Sequence, residues 1–512
     1  MLSKLTSFTI LGIDAIPVTV EVDVVEVAEA GQATWNIVGL GDMAVREARE
    51  RVRAALKNSG LAVSQRRVVV NLAPADVRKE GSHLDLPMAL AALLATGRIG
   101  RGRDGYAAAG ELGLDGGVQP LAGALPLAIG ARELGLKGIL LPASNAVEAA
   151  HVSGIDIIPV SSIREAADFI HGEKDIAPAR PPETIEDVYT NALVDLADVK
   201  GQEGAKRALE VAAAGSHNML MVGPPGSGKT MLARALAGIL PPMSFEERIE
   251  ASKIHSIAGQ LNGRLGLLQS RPFRAPHHTA SSAALVGGGT IPRPGEVSLS
   301  HHGVLFLDEL PEFSRNVLEV LRQPLEDGFV TVARAAMSCE FPSRFLLVAA
   351  MNPTPSGFDA ATAISRGLDS PVGIQKYMGK ISGPLLDRID IQVEVPAVPM
   401  EELRHRKSKE SSALVRERVA AARARQTDRF RGIAGVYCNA HMDARLLNEF
   451  CHLDPPAQRI LEMSLKRLNL SARAYDRLRK LARTIADMNG AETIGPDHVS
   501  EAVQYRNLDR MR

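Results

Sequence analysis

The chain has 512 residues, 45% of them apolar, and its 59 Lys plus Arg are balanced by 59 Asp plus Glu. At ~150 residues per domain, that length implies roughly three folded domains. Zero net charge excludes a wholesale basic nucleic-acid coat and an acidic disordered tail, while leaving room for a local basic surface.

The N-terminal stretch MLSKLTSFTILGIDAIPVTVEVDV lacks a basic head with an apolar core. Asp14 and Glu21 interrupt its apolar positions, which alternate as in strands. No run approaches the ~18 apolar residues that span a membrane. The longest candidate, Leu84 to Thr96, contains Asp85 and Pro87 and reads as a core helix, so a cytoplasmic protein without a membrane partner is expected. Residues 1–172 mix alternating strands (Val18–Val27, Val68–Leu72) with amphipathic helices (Ala44–Ser59, Leu125–Leu134), the pattern of an α+β domain. Glu173 to Thr190 is rich in proline and charge and has no sustained period, which assigns 173–193 to a linker.

From 194 to 398, short apolar strands alternate with helices, as in a parallel sheet covered by helices. Its strongest signal is GPPGSGKT, Gly223 to Thr230, which matches G-x-x-x-x-G-K-[ST] between a strand (Asn218–Val222) and a helix (Met231–Leu240). Gly223, Pro224, Pro225, Gly226, Ser227 and Gly228 would form a backbone cup whose N–H groups face phosphate oxygens, helped by the helix N-terminus. Lys229 would neutralise the β and γ phosphates and Thr230 would hold Mg²⁺, so ATP and Mg²⁺ are the expected ligands.

The next segment, Ser252 to His302, carries Lys253, Arg264, Arg271, Arg274, His277, His278 and Arg293 among many glycines. It reads either as a flexible basic insertion able to follow a phosphate backbone or as a solvated loop. Phe273 is its only aromatic residue among Phe, Tyr and Trp, so base stacking has little support. GVLFLDEL, Gly303 to Leu310, is a continuous apolar strand with two carboxylates at its C-terminal end, where parallel sheets open their ligand sites. Asp308 would hold Mg²⁺, and Glu309 would orient and polarise the attacking water. Phe329 to Arg344 reads as a β-hairpin with Arg334 near its tip, a second candidate place for meeting DNA. The strand Phe345–Ala350 follows, and Asn352 at its tip is a sensor of water or γ-phosphate, or a turn residue before Pro353. In LLDRIDI, Leu385 to Ile391, Arg388 can stabilise charge on the transferring phosphoryl group, or pair with Asp387 or Asp390.

Residues 399–512 are charged and almost all helical, most clearly at Ala413–Phe430, Ala457–Leu468 and Ala472–Met488. The stretch Arg404–Arg431, with Glu402, Glu410 and Glu417 in and beside it, reads as a solvated face or a subunit contact. Ser471 is a helix N-cap, and Arg473 in the first turn could reach γ-phosphate. Arg477, one turn on, reads as a surface residue. The three cysteines, Cys339, Cys438 and Cys451, form no CxxC pair and read as reduced, mostly buried thiols.

The runs RPFRAPHHTASSAALVGGG (Arg271–Gly289), PRPGEVSLSHHGVLFLDELPEF and ISGPLLDRID resemble the Mg-chelatase-like AAA+ proteins of the YifB/ComM family, and the resemblance covers essentially the whole chain. It implies an α/β fold: an AAA+ P-loop parallel sheet core, an N-terminal Lon-protease-like α+β domain and a C-terminal helical domain. It also implies a homo-hexameric ring in which the arginine corresponding to Arg388 acts on the neighbour's ATP. The implied activity is movement on branched or single-stranded DNA, with branch migration in natural transformation and recombination. Two departures stand out. Many members carry a cysteine cluster after the sensor asparagine, whereas this chain has Thr354 and Ser356 there, so no zinc is expected. KEGSHLDLP and the segment Gly110–Asn145 resemble the Lon proteolytic domain, but its serine falls on His83, beside Ser82, and its lysine on Leu125, which cannot serve as a base. The alternative reading is a Mg-chelatase-like remodelling or metal-insertion ATPase without a DNA substrate. The Lon-like domain argues against it on the view that the chelatase subunit lacks one.

Overall fold

Val18, Val20, Val22 and Val24 alternate with polar residues, and in the computed structural model they are the buried face of a 13-residue strand, Asp14–Glu26. The structure describes residues 1–27, 34–63, 66–182, 194–261, 266–289, 292–334, 337–399, 410–468 and 471–506. They form two units. One is Met1–Glu186 with Arg248–Gln269 and Ala335–Glu340; the other is Asp187–Glu247, Ser270–Arg334 and Phe341–Arg512.

The strands of the first unit are β1 (Leu2–Leu11), β2 (Asp14–Glu26), β3 (Trp35–Val38), β4 (Arg66–Ala73), β5 (Tyr106–Ala108), β6 (Glu111–Leu112), β7 (Val118–Gln119), β8 (Gly138–Pro142) and β9 (Asp156–Val160). Seven of them make one sheet in the order β3-β4-β2-β1-β5-β8-β9, and β6 pairs with β7. β1 and β2 are antiparallel from Leu2 opposite Asp23 to Leu11 opposite Asp14, and Gly12 supplies the left-handed turn (φ 64°). β5, β8 and β9 run parallel, and β8 is buried throughout because it has core on both faces. The helix Asp85–Ala95 is apolar on nearly every side and buried on nearly every side, which is why it reads as a core helix. Residues 173–182 form neither helix nor strand, and the rest of the expected linker lies outside the described residues.

At the Lon-like positions, His83 Nε2 lies 2.9 Å from the Phe8 carbonyl oxygen, and burial pushes its pKa down. Ser82 gives its hydroxyl to the Glu111 carboxylate. Leu125 is fully buried in a cluster with Phe8, Ala128 and Ile139. Its backbone N–H meets the buried Glu148 carboxylate at 3.0 Å. Burial raises the Glu148 pKa against the hydrogen bonds from Ser256, Leu125 and Asn145.

The remaining strands, in the second unit except for Met337–Glu340 of β16, are β10 (Met219–Val222), β11 (Phe273–Arg274), β12 (Gly287–Gly288), β13 (Arg293–Pro294), β14 (Val304–Leu307), β15 (Phe329–Arg334), β16 (Met337–Pro342), β17 (Leu346–Met351) and β18 (Ile391–Glu394). Five of these build an all-parallel sheet, β11-β14-β17-β10-β18. MLMV, VLFL and LLVAAM are near-continuously buried, as strands covered on both faces must be. β15 and β16 form the expected ribbon, whose tip at 335–336 lies outside the described residues. The helices Ser412–Arg429, Pro455–Leu468, Ala472–Met488 and Pro496–Gln504 share one continuous core with the sheet, through residues such as Val415, Leu461, Ile485 and Val499.

Two expectations change. The helix after the phosphate loop spans Lys229–Leu236 and does not run to Leu240, since Pro241 and Pro242 follow and proline cannot continue a helix. The segment 266–302 is not a loose insertion: Phe273 and Arg274 pair with Val304 and Leu305 as a fifth strand, and the Phe273 and Phe306 rings lie 6.1 Å apart.

Candidate nucleotide site

β10 delivers the chain to Gly223, whose N–H bonds the Met351 carbonyl oxygen (3.1 Å). A Cβ on Gly223 would lie 2.0 Å from the Val395 carbonyl oxygen, so only glycine fits. Gly226 (φ 75°) and Gly228 (φ 95°) take the left-handed turns that close the cup and open the helix at Lys229. The Lys229 ammonium donates to the carbonyl oxygens of Gly223 (2.7 Å) and Pro224 (2.9 Å) and to Asn352 Oδ1 (3.2 Å). Burial lowers its pKa, against the pull of Asp308 and Glu309.

β14 runs beside β17, so both strand tips open on the same end of the sheet as the loop. Thr230 Oγ1 donates to Asp308 Oδ2 at 2.7 Å. Glu309 is held in the left-handed region (φ 51°, ψ 48°), rare for a non-glycine residue and worth ~1–3 kcal/mol of strain of the kind found at active sites. Its carboxylate meets His278 Nδ1 at 3.4 Å, and the His278 ring leans on His277 with centroids 4.1 Å apart. Sequence reasoning placed His278 in a basic loop; the signal it missed was the strand β11, which carries His278 to the tip of β14. The Tyr377 hydroxyl hydrogen-bonds the Asn352 backbone, and burial with Glu312 nearby pushes its pKa up to about 12.

These groups fit a triphosphate with Mg²⁺. Gly223 has no room for a side chain, Gly226 and Gly228 hold the positive φ of the cup, the lysine is turned onto loop carbonyls and an amide, and Thr230 and Asp308 offer hard oxygen donors side by side. Beyond Asn352, Thr354 and Ser356 are held by oxygen contacts: Thr354 Oγ1 donates to the Phe358 carbonyl oxygen (2.8 Å), and the Ser356 N–H donates to Asp369 (3.0 Å).

Arg388 and Arg473 are brought together, but not to this site. β18 starts at Ile391 opposite Met219, the first residue of β10. Asn218 Nδ2 donates to the Arg388 carbonyl oxygen (3.0 Å), five residues before the loop begins, or roughly 17 Å along an extended strand. The Arg388 guanidinium pairs with Glu326 and donates to the Pro384 carbonyl oxygen (2.8 Å); Arg473 reaches the same Glu326 at 3.7 Å. Asp390 is engaged by His217 (3.3 Å) and Arg477 (3.2 Å); burial would raise its pKa, but these partners hold it at about 2. Arg477 is therefore a partly buried ion-pair partner rather than a surface residue.

The basic segment is mostly committed to carboxylates. Lys253 meets Asp14 (3.1 Å), Arg274 forks onto Glu296 (2.6 and 2.7 Å), and Arg271 forks onto Glu247 (3.0 and 2.8 Å). Arg293 is exposed, and Arg264 lies outside the described residues. In the stretch before Arg431, Arg423 donates to the Ala214 carbonyl oxygen (3.1 Å) and Arg429 pairs with Asp487 (2.5 Å), so these side chains pack inward.

Burial raises the Glu247 pKa, but Arg271 outweighs it and holds the carboxyl at about 2. This pair contributes roughly 3 kcal/mol above the unfolded value near ~4.3, lost as pH falls through ~2. Arg271→Met strands a buried carboxylate and is expected to cost about 3–5 kcal/mol at pH 7. Urea unfolding of both proteins should show the gap narrowing between pH ~5 and ~2; a constant gap would contradict the assignment.

Comparison with known families matches residues 195–403 to "Magnesium chelatase, subunit ChlI", 20–145 to "Subunit ChlI of Mg-chelatase" and 409–506 to "Magnesium chelatase, subunit ChlI C-terminal". The chain is 42% identical over 506 residues to YifB of Salmonella typhimurium, covering 98% of this chain and 96% of that protein. It is 42% identical over 508 residues to the competence protein ComM of Haemophilus influenzae, with the same coverage. The magnesium-chelatase 67 kDa subunit of Chlorobaculum parvum is 27% identical over 218 residues, 42% of this chain and 28% of that one. Because a model described as a chelatase subunit matches residues 20–145, the N-terminal unit does not by itself argue against a chelatase-like reading.

Proposed function

This chain belongs to the YifB/ComM family of Mg-chelatase-like AAA+ ATPases, and from that premise we propose that it is a homo-hexameric motor that hydrolyses ATP between neighbouring copies and moves on branched or single-stranded DNA. One observation carries the reading of shared sites: Lys229, Thr230, Asp308, Glu309 and Asn352 gather at one end of the parallel sheet, and Arg388 and Arg473 at the other. A single copy cannot bring both sets to one phosphate, whereas copies stacked around a ring can.

In this mechanism the loop N–H groups and Lys229 hold the phosphates. Thr230 and Asp308 would hold Mg²⁺, which would supply positive charge to the phosphates. Glu309 orients the attacking water and accepts its proton, while Asn352 fixes the γ-phosphate position. Arg388 and Arg473 of the adjoining copy stabilise the charge that develops on the transferred group.

The DNA substrate is supported by the family resemblance and by the word competence in the name of one relative. The partial likeness to a magnesium-chelatase subunit favours the second reading, a remodelling ATPase whose partner is protein. Turnover separates them. Forked DNA is expected to raise ATP hydrolysis severalfold, with the stimulation falling as salt rises. If forked DNA leaves turnover flat while a protein partner raises it, the motor reading loses.

A further inference from the structure

Arg388 and Arg473 share one carboxylate. The Arg388 guanidinium pairs with one oxygen of Glu326, and Arg473 Nη2 lies 3.7 Å from the other. Glu326 stands in the last turn of the helix Arg322–Asp327, which Gly328 closes in the left-handed conformation (φ 76°). Its side chain is half exposed, whereas that of Arg388 is 7% exposed. Arg388 Nε is buried and has no hydrogen-bond partner among the described residues. The three residues line a cavity of about 190 Å³ together with Asp387, Asp476, Arg477 and Lys480.

Four cationic and three anionic side chains face this cavity. Arg477 is engaged by Asp390 (3.2 Å), and Lys480 donates to the Ala440 carbonyl oxygen (2.9 Å). Burial, with Arg322, Arg473 and Arg477 close by, lowers the Arg388 pKa. Within this mixed cluster Arg388 and Arg473 meet the same carboxylate, and Glu326 presents its two oxygens to two guanidiniums, the same pattern a terminal phosphate offers.

We propose that Glu326 is an intramolecular stand-in for the neighbouring copy's γ-phosphate, a positioning residue that holds Arg388 and Arg473 until a triphosphate displaces it. This rests on the reading that the two arginines act across copies. An exposed carboxylate pair supplies only a weak hold, a bias of about three- to tenfold in the equilibrium. The more highly charged triphosphate outcompetes it once a neighbour docks. A site holding only diphosphate lacks the terminal group, so the arginines return to Glu326 after phosphate leaves. The carboxylate thus ties the grip between copies to the nucleotide state.

The test compares wild type, Glu326→Gln and Glu326→Asp over a range of ATP concentrations, with melting temperature as a check on folding. Glu326→Gln removes the competing charge, and its KM for ATP is expected to fall about three- to tenfold with kcat within about twofold, because the arginines are released in advance. Glu326→Asp keeps the charge and should return toward the wild-type KM. An unchanged or raised KM in Glu326→Gln overturns the proposal. So does a loss of kcat beyond tenfold at unchanged KM, which would mark a structural prop. Arg388→Ala, run alongside, separates the two claims. Normal turnover there removes the across-copies reading itself; a dead Arg388→Ala beside an unshifted Glu326→Gln removes only the role of Glu326.

Discussion

Arg388→Ala is expected to lower ATP turnover by about 10³-fold or more while changing ATP affinity by no more than about tenfold. The size follows from what an arginine supplied to a transferring phosphoryl group contributes in other systems, ~10³–10⁵. The small change in affinity follows from position: Arg388 lies beside Asn218, at the opposite end of the sheet from the phosphate loop, and any grip it adds on a neighbour's ATP is offset by its own release from Glu326. Its removal leaves the cup, Lys229 and the Thr230–Asp308 pair intact. Position also dictates complementation. A Lys229→Ala chain cannot hold ATP but still presents Arg388, and an Arg388→Ala chain holds ATP but presents nothing to its neighbour. Mixing the two inactive proteins should therefore restore part of the turnover, as sites form between an intact loop and an intact arginine. Strict inactivity of every mixture, with both proteins folded and co-assembled, would argue that Arg388 serves its own chain.

Glu309→Gln is expected to bind ATP normally and to lose roughly 10²–10⁴-fold in turnover, the range for a positioned general base. The amide keeps the shape of the carboxylate and its left-handed backbone setting, so neither the fold nor the Thr230–Asp308 pair is disturbed. What it loses is the ability to take a proton from water, and its contact with His278 changes from a carboxylate oxygen to an amide. ATP affinity by fluorescent nucleotide titration, measured beside phosphate release, separates the two effects. Near-normal phosphate release by this variant would remove Glu309 from the chemistry.

Much of the nucleotide site was legible because its parts are local. A strand, a glycine cup and a helix follow one another within a short run, and backbone geometry restricts which residues can occupy the turn. Gly223 has no room for a side chain, and Gly226 and Gly228 need positive φ. The buried strand ending in Asp308 and Glu309 announces itself by its unbroken apolar run. The basic segment was less legible. Lys253, Arg271 and Arg274 suggested an open cationic surface, yet each meets a carboxylate, and in Arg271's case that partner lies well back in sequence at Glu247. Composition counts charges but does not say which ones cancel.

By itself the sequence located the phosphate loop, the acid pair at a buried strand tip and Asn352 at the tip of the next strand. Each depends on residue type and on neighbours a few positions away, where propensity and sterics act. Only the tertiary structure decided that β11 brings His278 to Glu309, that Arg388 and Arg473 share Glu326, and that both arginines stand at the far end of the sheet from Lys229. Strand order and register set those distances, and they arise from burying strands distant in sequence against one another, which no local pattern records.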